Sequence, residues 1–370
     1  MKNTGSTHPI FEPCCLATTI GSLPHADIAR GIQLMFDFTP EIPGWPQFPK
    51  RTFHENMMVQ FSEGVPGLVE EEDRIYFDTG TSDFPEQMTE FYTHYLAATD
   101  GQDASAGEHF AISKGYAAGL AEFLDKLKMQ PQSYSLLKGQ VTGPFTLGTN
   151  LVDQDNRCAY YDEQLRDVIV KAAGMKAIWQ IDRLKPFCES VIIAIDEPAL
   201  LNFGSQIFLT VSREDIIGDI NEVAAAIHSR GGFSGVHCEA NTDWSLLMET
   251  DLDILIFDAY DHMQGLTLYP KELQAFLDKG GSLGWGIVPT LDKEAAATET
   301  LETLLHRFDE GMDQLLSKGF DKQLLLRRAL ITPSCGTGGV LTEALAERVL
   351  SLLRQISLTL RERSGFAAAA

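Results

Sequence analysis

At 370 residues and 44% apolar content, the chain can bury a sizeable core, and it is long enough for one large barrel or two ordinary domains. A formal net charge of −23 argues against a nucleic-acid surface, which needs clustered Lys and Arg, and fits a solubility role instead. No apolar run approaches the ~20 residues of a membrane span, and residues 1–9 lack a basic start and an apolar stretch, so neither a span nor a signal peptide is expected and a cytoplasmic location is the default. The six cysteines, at 14, 15, 158, 188, 238 and 335, have neither the density of a disulfide framework nor a CxxC pair, which fits a reducing compartment.

In chain order, residues 16–22 form an apolar, β-branched run ending in Gly21-Ser22 and read as a first strand. Pro24, His25 and Asp27 open a helix to about Phe36. Residues 37–50 carry Pro40, Pro43, Pro46 and Pro49 around Trp45, the pattern of a rigid loop that either packs as a connector or lines a substrate site. Residues 53–63 read as helical, 74–78 as a short strand, and 80–107 as an insertion with a helix near 85–97. An amphipathic helix is expected over 111–129 and a strand over 135–140, turned at its end by Gly143-Pro144. The spacing of Leu165, Val168, Ile169, Ala172, Met175, Ile178 and Ile181 predicts a long helix over 162–187.

Val191 to Ile195 is a continuous apolar run, as a buried parallel strand requires. Then follow a helix over 213–230, a strand over 232–239, a helix beginning near Trp244 behind the cap Asn241-Thr242-Asp243, and a strand over 253–258. The remainder reads as a helix over 270–279, a strand over 281–288, a helix over 292–319, a strand over 324–332 and a helix over 341–363, with 367–370 a low-complexity run expected to fray. This makes eight strands, each followed by a helical segment, the count of a single (β/α)8 TIM barrel spanning 1–370, with no internal repeat and no interdomain linker.

In a barrel all strand ends open on one face, so residues distant in sequence meet there. The ends carry Gly21-Ser22, Thr142-Gly143-Pro144, Asp196-Glu197, His237-Cys238-Glu239, Asp258, Pro289-Thr290 and Cys335-Gly336. Taken singly, a His after a strand is commonly a hydrogen-bonded loop residue, a Cys a small buried apolar group, and an Asp a helix cap. Their recurrence at equivalent positions points to one shared site. Asp196 and Glu197 follow a buried strand and are candidate catalytic carboxylates. Alternation puts His237 and Glu239 on one face and Cys238 on the other, unless a bulge intervenes.

The segments 18–24, 195–200, the His237 strand, 253–258 and Thr332-Pro333-Ser334-Cys335-Gly336 together resemble the C-terminal catalytic barrel of cobalamin-independent methionine synthase. More broadly, residues 14–345 or so resemble the superfamily that includes uroporphyrinogen decarboxylase and the corrinoid-to-thiol methyltransferases. The synthase holds zinc through a His-x-Cys pair, a Glu and a later Cys. The resemblance therefore implies His237, Asp258 and Cys335 as ligands, with Asp258 one methylene shorter than the family's Glu and Glu239 standing where the second Cys belongs. It further implies Ile20, Ser22 and Asp196 as substrate-binding residues.

The expected function is a zinc-dependent methyltransferase that moves a methyl group from a corrinoid protein or another small donor to a small-molecule thiol such as homocysteine. The half of the long synthase that serves its folate donor has no counterpart in these residues. Two alternatives remain: a metal-free decarboxylase of the uroporphyrinogen type, though the arginines that family places near its first strand are missing before Arg30, and a non-catalytic barrel that binds a corrinoid or small molecule.

Overall fold

The computed structural model describes residues 9–100, 106–205, 208 and 210–366. The polar start at 1–8, residues 101–105 of the expected insertion, and the 367–370 tail lie outside the described residues. Among the described residues no helix is long and apolar enough to cross a membrane.

Eight strands are present among the described residues, but they do not form one sheet. Strands β1 (Leu68–Glu71) and β2 (Arg74–Phe77) pair with each other as an antiparallel hairpin. The other six, β3 (Tyr134–Thr142), β4 (Cys188–Asp196), β5 (Phe233–Cys238), β6 (Ile254–Phe257), β7 (Ser282–Val288) and β8 (Ala329–Pro333), form a parallel sheet in sequential order. The eight-stranded expectation is corrected accordingly. The run at 74–78 is a strand over Arg74–Phe77, but its partner is Leu68–Glu71 in the same hairpin, so it adds nothing to the parallel sheet.

The first expected strand contributes bridges only. Ala17 pairs with Ile331 beside β8, Gly44 pairs with Lys138 beside β3, and Ser22 pairs with Gln47. Pairing thus runs past both edges of the sheet through residues 15–22 and 43–47. Backbone bonds such as Thr18 N to Ile331 O (3.0 Å) and Lys138 N to Pro43 O (3.0 Å) carry it. Prolines 43, 46 and 49 interrupt any regular ladder in the second of these segments, because each removes a backbone donor.

The parallel sheet separates two apolar layers. On β4, Val191, Ile193 and Ile195 face the large core shared with the helices, while Ile192 and Ala194 face a smaller core with Phe11, Ile42, Phe233, Ile254, Ile256 and Leu330. The covering helices start where caps are available. Asp27 caps Ile28–Phe38 by accepting from Arg30 N, and Asp162 caps Glu163–Leu184 by accepting from Gln164 N and Leu165 N. A capping box at Ser212 and Asp215 opens Arg213–Ser229.

Three helical expectations change. The 111–129 stretch is helical only over Ala118–Lys128, behind the turn Ala106–Phe110. The 292–319 stretch breaks at Glu299 and Thr300 into Lys293–Thr298 and Leu301–Ser317, because Thr300 caps a new helix. The front of the last expected strand is the helix Lys322–Arg327.

Candidate active site

The smaller core ends in polar groups, and strand alternation dictates which. Continuing the inner column of β4 from Ile192 and Ala194 gives Asp196, and continuing that of β5 from Phe233 and Gly235 gives His237, which is its register partner. Together with Ile20, Ser22, Glu239 and Cys335, these two residues line a cavity of about 310 Å³ at the C-terminal ends of the strands. In parallel α/β sheets this is the end at which ligands bind.

His237 is 2% exposed. Its Nδ1 lies 3.2 Å from Asp196 Oδ1, and its Nε2 lies 3.3 Å from the Ser334 carbonyl oxygen. Two acceptors facing both ring nitrogens suit a ring protonated at each. Burial opposes the charged ring, but the hydrogen bond and charge of Asp196, the charge of Glu239 and the Ser334 carbonyl outweigh it, and the His237 pKa is raised. The Cys335 thiol donates to Glu239 Oε2 at 2.7 Å. Burial first, then the charge and hydrogen bond of Glu239, push this thiol well above its ordinary range. One ligand atom from each of His237, Glu239 and Cys335 can be chosen so that all three lie within 4.8 Å of one another.

Strand alternation also separates the two neighbours of these residues. Cys238 faces the large core and donates to Ala240 O (3.5 Å), and burial pushes its thiol up to about 12. Glu239, not Cys238, therefore shares the side of His237. Glu197, expected beside Asp196 as a catalytic carboxylate, turns to the opposite side of the strand end and is fully buried. It accepts from Phe145 N (3.0 Å), Thr146 N (2.8 Å) and Thr146 Oγ1 (2.6 Å) at the start of the helix Pro144–Asn150. A Cβ on Gly143 would sit 2.1 Å from Glu197 Oε1, so the glycine makes room for the carboxylate. Glu197 is thus a buried tether between β4 and that helix and lies outside the cavity.

Asp258 is not among the three clustered groups. Its Oδ1 accepts from Tyr260 N and Asp261 N, both at 2.9 Å, and so folds the turn after β6. Its Oδ2 is buried without a hydrogen-bond partner, and burial pushes the carboxyl up to about 6. In register it follows the pair Cys238 and Phe257, which places it beside Glu239 on the neighbouring strand end.

Ser22 is held by the loop after β8: its backbone oxygen accepts from Thr337 N (2.9 Å), and its Oγ accepts from Gly338 N (3.2 Å). A Cβ on Gly336 would meet Ser22 Oγ at 2.1 Å, so this close approach requires glycine. Lys138, fully buried on β3, donates to Ile20 O at 2.6 Å and fixes the other side of the same turn. Burial lowers its pKa to about 8, against the opposing charge of Asp196.

Gln47 and Pro49 of the proline-rich segment line the cavity, in keeping with its substrate-lining reading. Glu55, Asn56, Met57, Leu291 and Val340 complete much of the wall and were not singled out by the sequence. Glu55 is 2% exposed and paired with Arg51 at 3.0 Å; an acidic residue in a segment read only as helical carried no signal of its burial.

Two solved structures share this fold. A methyltransferase from Methanosarcina mazei is 11% identical with a TM-score of 0.56, covering 94% of this chain and 93% of that one. A structure from Listeria monocytogenes, provisionally described as a vitamin-B12-independent methionine synthase, is 13% identical with a TM-score of 0.50, covering 91% of this chain and 85% of that one. At these identities the likeness is one of fold. No family model and no curated protein matches the sequence.

Proposed function

We propose that the protein is a zinc-dependent methyltransferase that transfers a methyl group from a corrinoid or another small donor to a thiol such as homocysteine. The observation that carries this reading is the convergence of an imidazole, a carboxylate and a thiol, each potential ligand atom within 4.8 Å of the others, inside one cavity. The likeness of fold to a methyltransferase and to a provisional methionine synthase supports it.

The donor set fits zinc, which accepts nitrogen, oxygen and sulfur ligands. His237, Glu239 and Cys335 would hold the ion, and the unpartnered Oδ2 of Asp258, on the next strand end, is the candidate for a fourth ligand. Zinc supplies the Lewis acidity that favours the thiolate form of an acceptor thiol at neutral pH. With one carboxylate in place of the synthase's second thiolate, this set is harder and richer in oxygen.

The protein's own residues do the rest. Asp196 orients the His237 ring through Nδ1, as a carboxylate behind a metal-binding histidine does. Ser22 and Asp196 hold the polar end of the acceptor, and Ile20, Met57, Leu291 and Val340 exclude water from the reacting sulfur. Positioning acceptor and donor in line accounts for a large share of the rate enhancement. No Arg or Lys stands in the cavity wall among the described residues, which disfavours a polyanionic tetrapyrrole as substrate.

The test is methyl transfer from methylcobalamin to homocysteine or coenzyme M by the parent and by His237→Ala, with metal content measured on both and on Cys335→Ser. The reading expects turnover in the parent alone, and one equivalent of zinc more per chain in the parent than in either variant. Equal rates in parent and His237→Ala would remove the role of the metal.

A further inference from the structure

A second group of ligand-capable side chains lies away from the cavity. Glu90 and His94 are four residues apart on the helix Phe84–Thr99 and so share one of its faces. His109 sits on the turn Ala106–Phe110. We propose that Glu90, His94 and His109 form a second metal site, which takes a divalent transition ion such as zinc, cobalt or nickel and ties that helix to that turn.

Four observations carry the proposal. First, one ligand atom from each of the three residues lies within 4.8 Å of the others. Second, the two imidazoles stand face to face, with ring centroids 4.1 Å apart and planes 15° from parallel. Third, neither ring has a hydrogen-bond partner among the described residues: Glu90 Oε1 stands 3.8 Å from His94 Nε2, beyond hydrogen-bond reach. Fourth, the two carriers are fixed to each other by packing. Phe91 and Phe110, both buried, meet edge to face at 5.4 Å.

The chemistry of the donors selects the ion. Two imidazoles and one carboxylate suit zinc, cobalt, nickel or copper better than magnesium or calcium, which prefer all-oxygen shells. Glu90 and His109 are exposed, so water completes the shell and the role is structural: a staple across the connection from Thr99 to Ala106.

The experiment uses the full chain stripped of metal, titrated with cobalt(II) and followed by its visible absorption. The His237→Ala protein, with the cavity cluster disabled, is expected still to bind one equivalent at micromolar concentration. Adding His109→Ala or His94→Ala to it should weaken that binding tenfold or more, with an unchanged circular dichroism spectrum. Metal should also slow amide exchange across 84–99 and 106–110, and only when both histidines are present. Equal affinity in His237→Ala and His237→Ala/His109→Ala, or no binding by the former at micromolar cobalt, overturns the proposal. Because the cavity cluster is disabled throughout, neither result depends on the methyltransferase reading.

Discussion

At the N-terminal end of the parallel sheet, Asp253 Oδ2 accepts from Ser234 N (2.7 Å) and Ser234 Oγ (3.1 Å) and lies 2.8 Å from His228 Nε2. Ser282 Oγ and Arg328 Nη1 both donate to Phe11 O, at 2.7 and 3.0 Å, closing that end over the smaller core. At the C-terminal end the same residue types, Asp196, His237 and Glu239 with Cys335, contact one another around an open cavity. The acid and the histidine at the first end brace backbone, whereas those at the second leave ligand atoms facing a space that a small molecule can enter. The same side chains therefore have different uses according to which strand terminus carries them, as in parallel α/β folds generally.

Substitutions at the two ends of the sheet should differ in what they disturb. The largest effect is expected at the cavity: His237→Ala should reduce methyl transfer to background and abolish stoichiometric zinc in that cluster, with little change in the urea unfolding midpoint. Next, Asp196→Asn should weaken metal binding or turnover by about 10- to 100-fold, because it releases the His237 ring without removing a ligand; a rate equal to the parent's would separate Asp196 from the metal cluster.

Glu197→Gln should act on stability alone, and in a pH-dependent way. Burial raises the folded-state carboxyl to about 7 from an ordinary 4.5, against the hydrogen bonds from Thr146 and Phe145. The folded state therefore holds this proton more tightly than the unfolded chain does. Its contribution is fully present below pH ~4.5 and declines as pH rises through ~7, by about 3 kcal/mol in all. Denaturation across that window should show the decline in the parent and lose it in the variant; parallel curves would mean that Glu197 is ionised throughout. The smallest effect is expected at the other end of the sheet, where Asp253→Asn should cost about 1 kcal/mol of stability and leave turnover unchanged.

Much of the site was legible because it rests on the two-residue repeat of a strand. That repeat separates Asp196 from Glu197 and places Glu239 rather than Cys238 beside His237, and the structure shows both outcomes. Glu197 was expected beside Asp196, but the sequence shows two carboxylates after a buried strand without showing that Thr146 and the start of Pro144–Asn150 stand behind one of them. Asp258 was expected in the metal set, yet one of its oxygens folds its own turn, a local bond that competes with any distant partner. The wall residues Glu55 to Met57 gave no signal, since a short amphipathic segment reads the same whether it borders solvent or a cavity.

The sequence by itself determined the α/β alternation, the buried parallel strands, the capped helices and the face on which each polar strand-end residue stands, because these follow from local periodicity and capping chemistry. Only the tertiary structure decided that 74–77 pairs within a hairpin, that the proline-rich 43–47 lies against β3, and that Cys335 reaches Glu239 across 96 residues of chain. Those are pairings between distant segments, and their partners are selected by the packing of the whole core rather than by any pattern within the segments themselves.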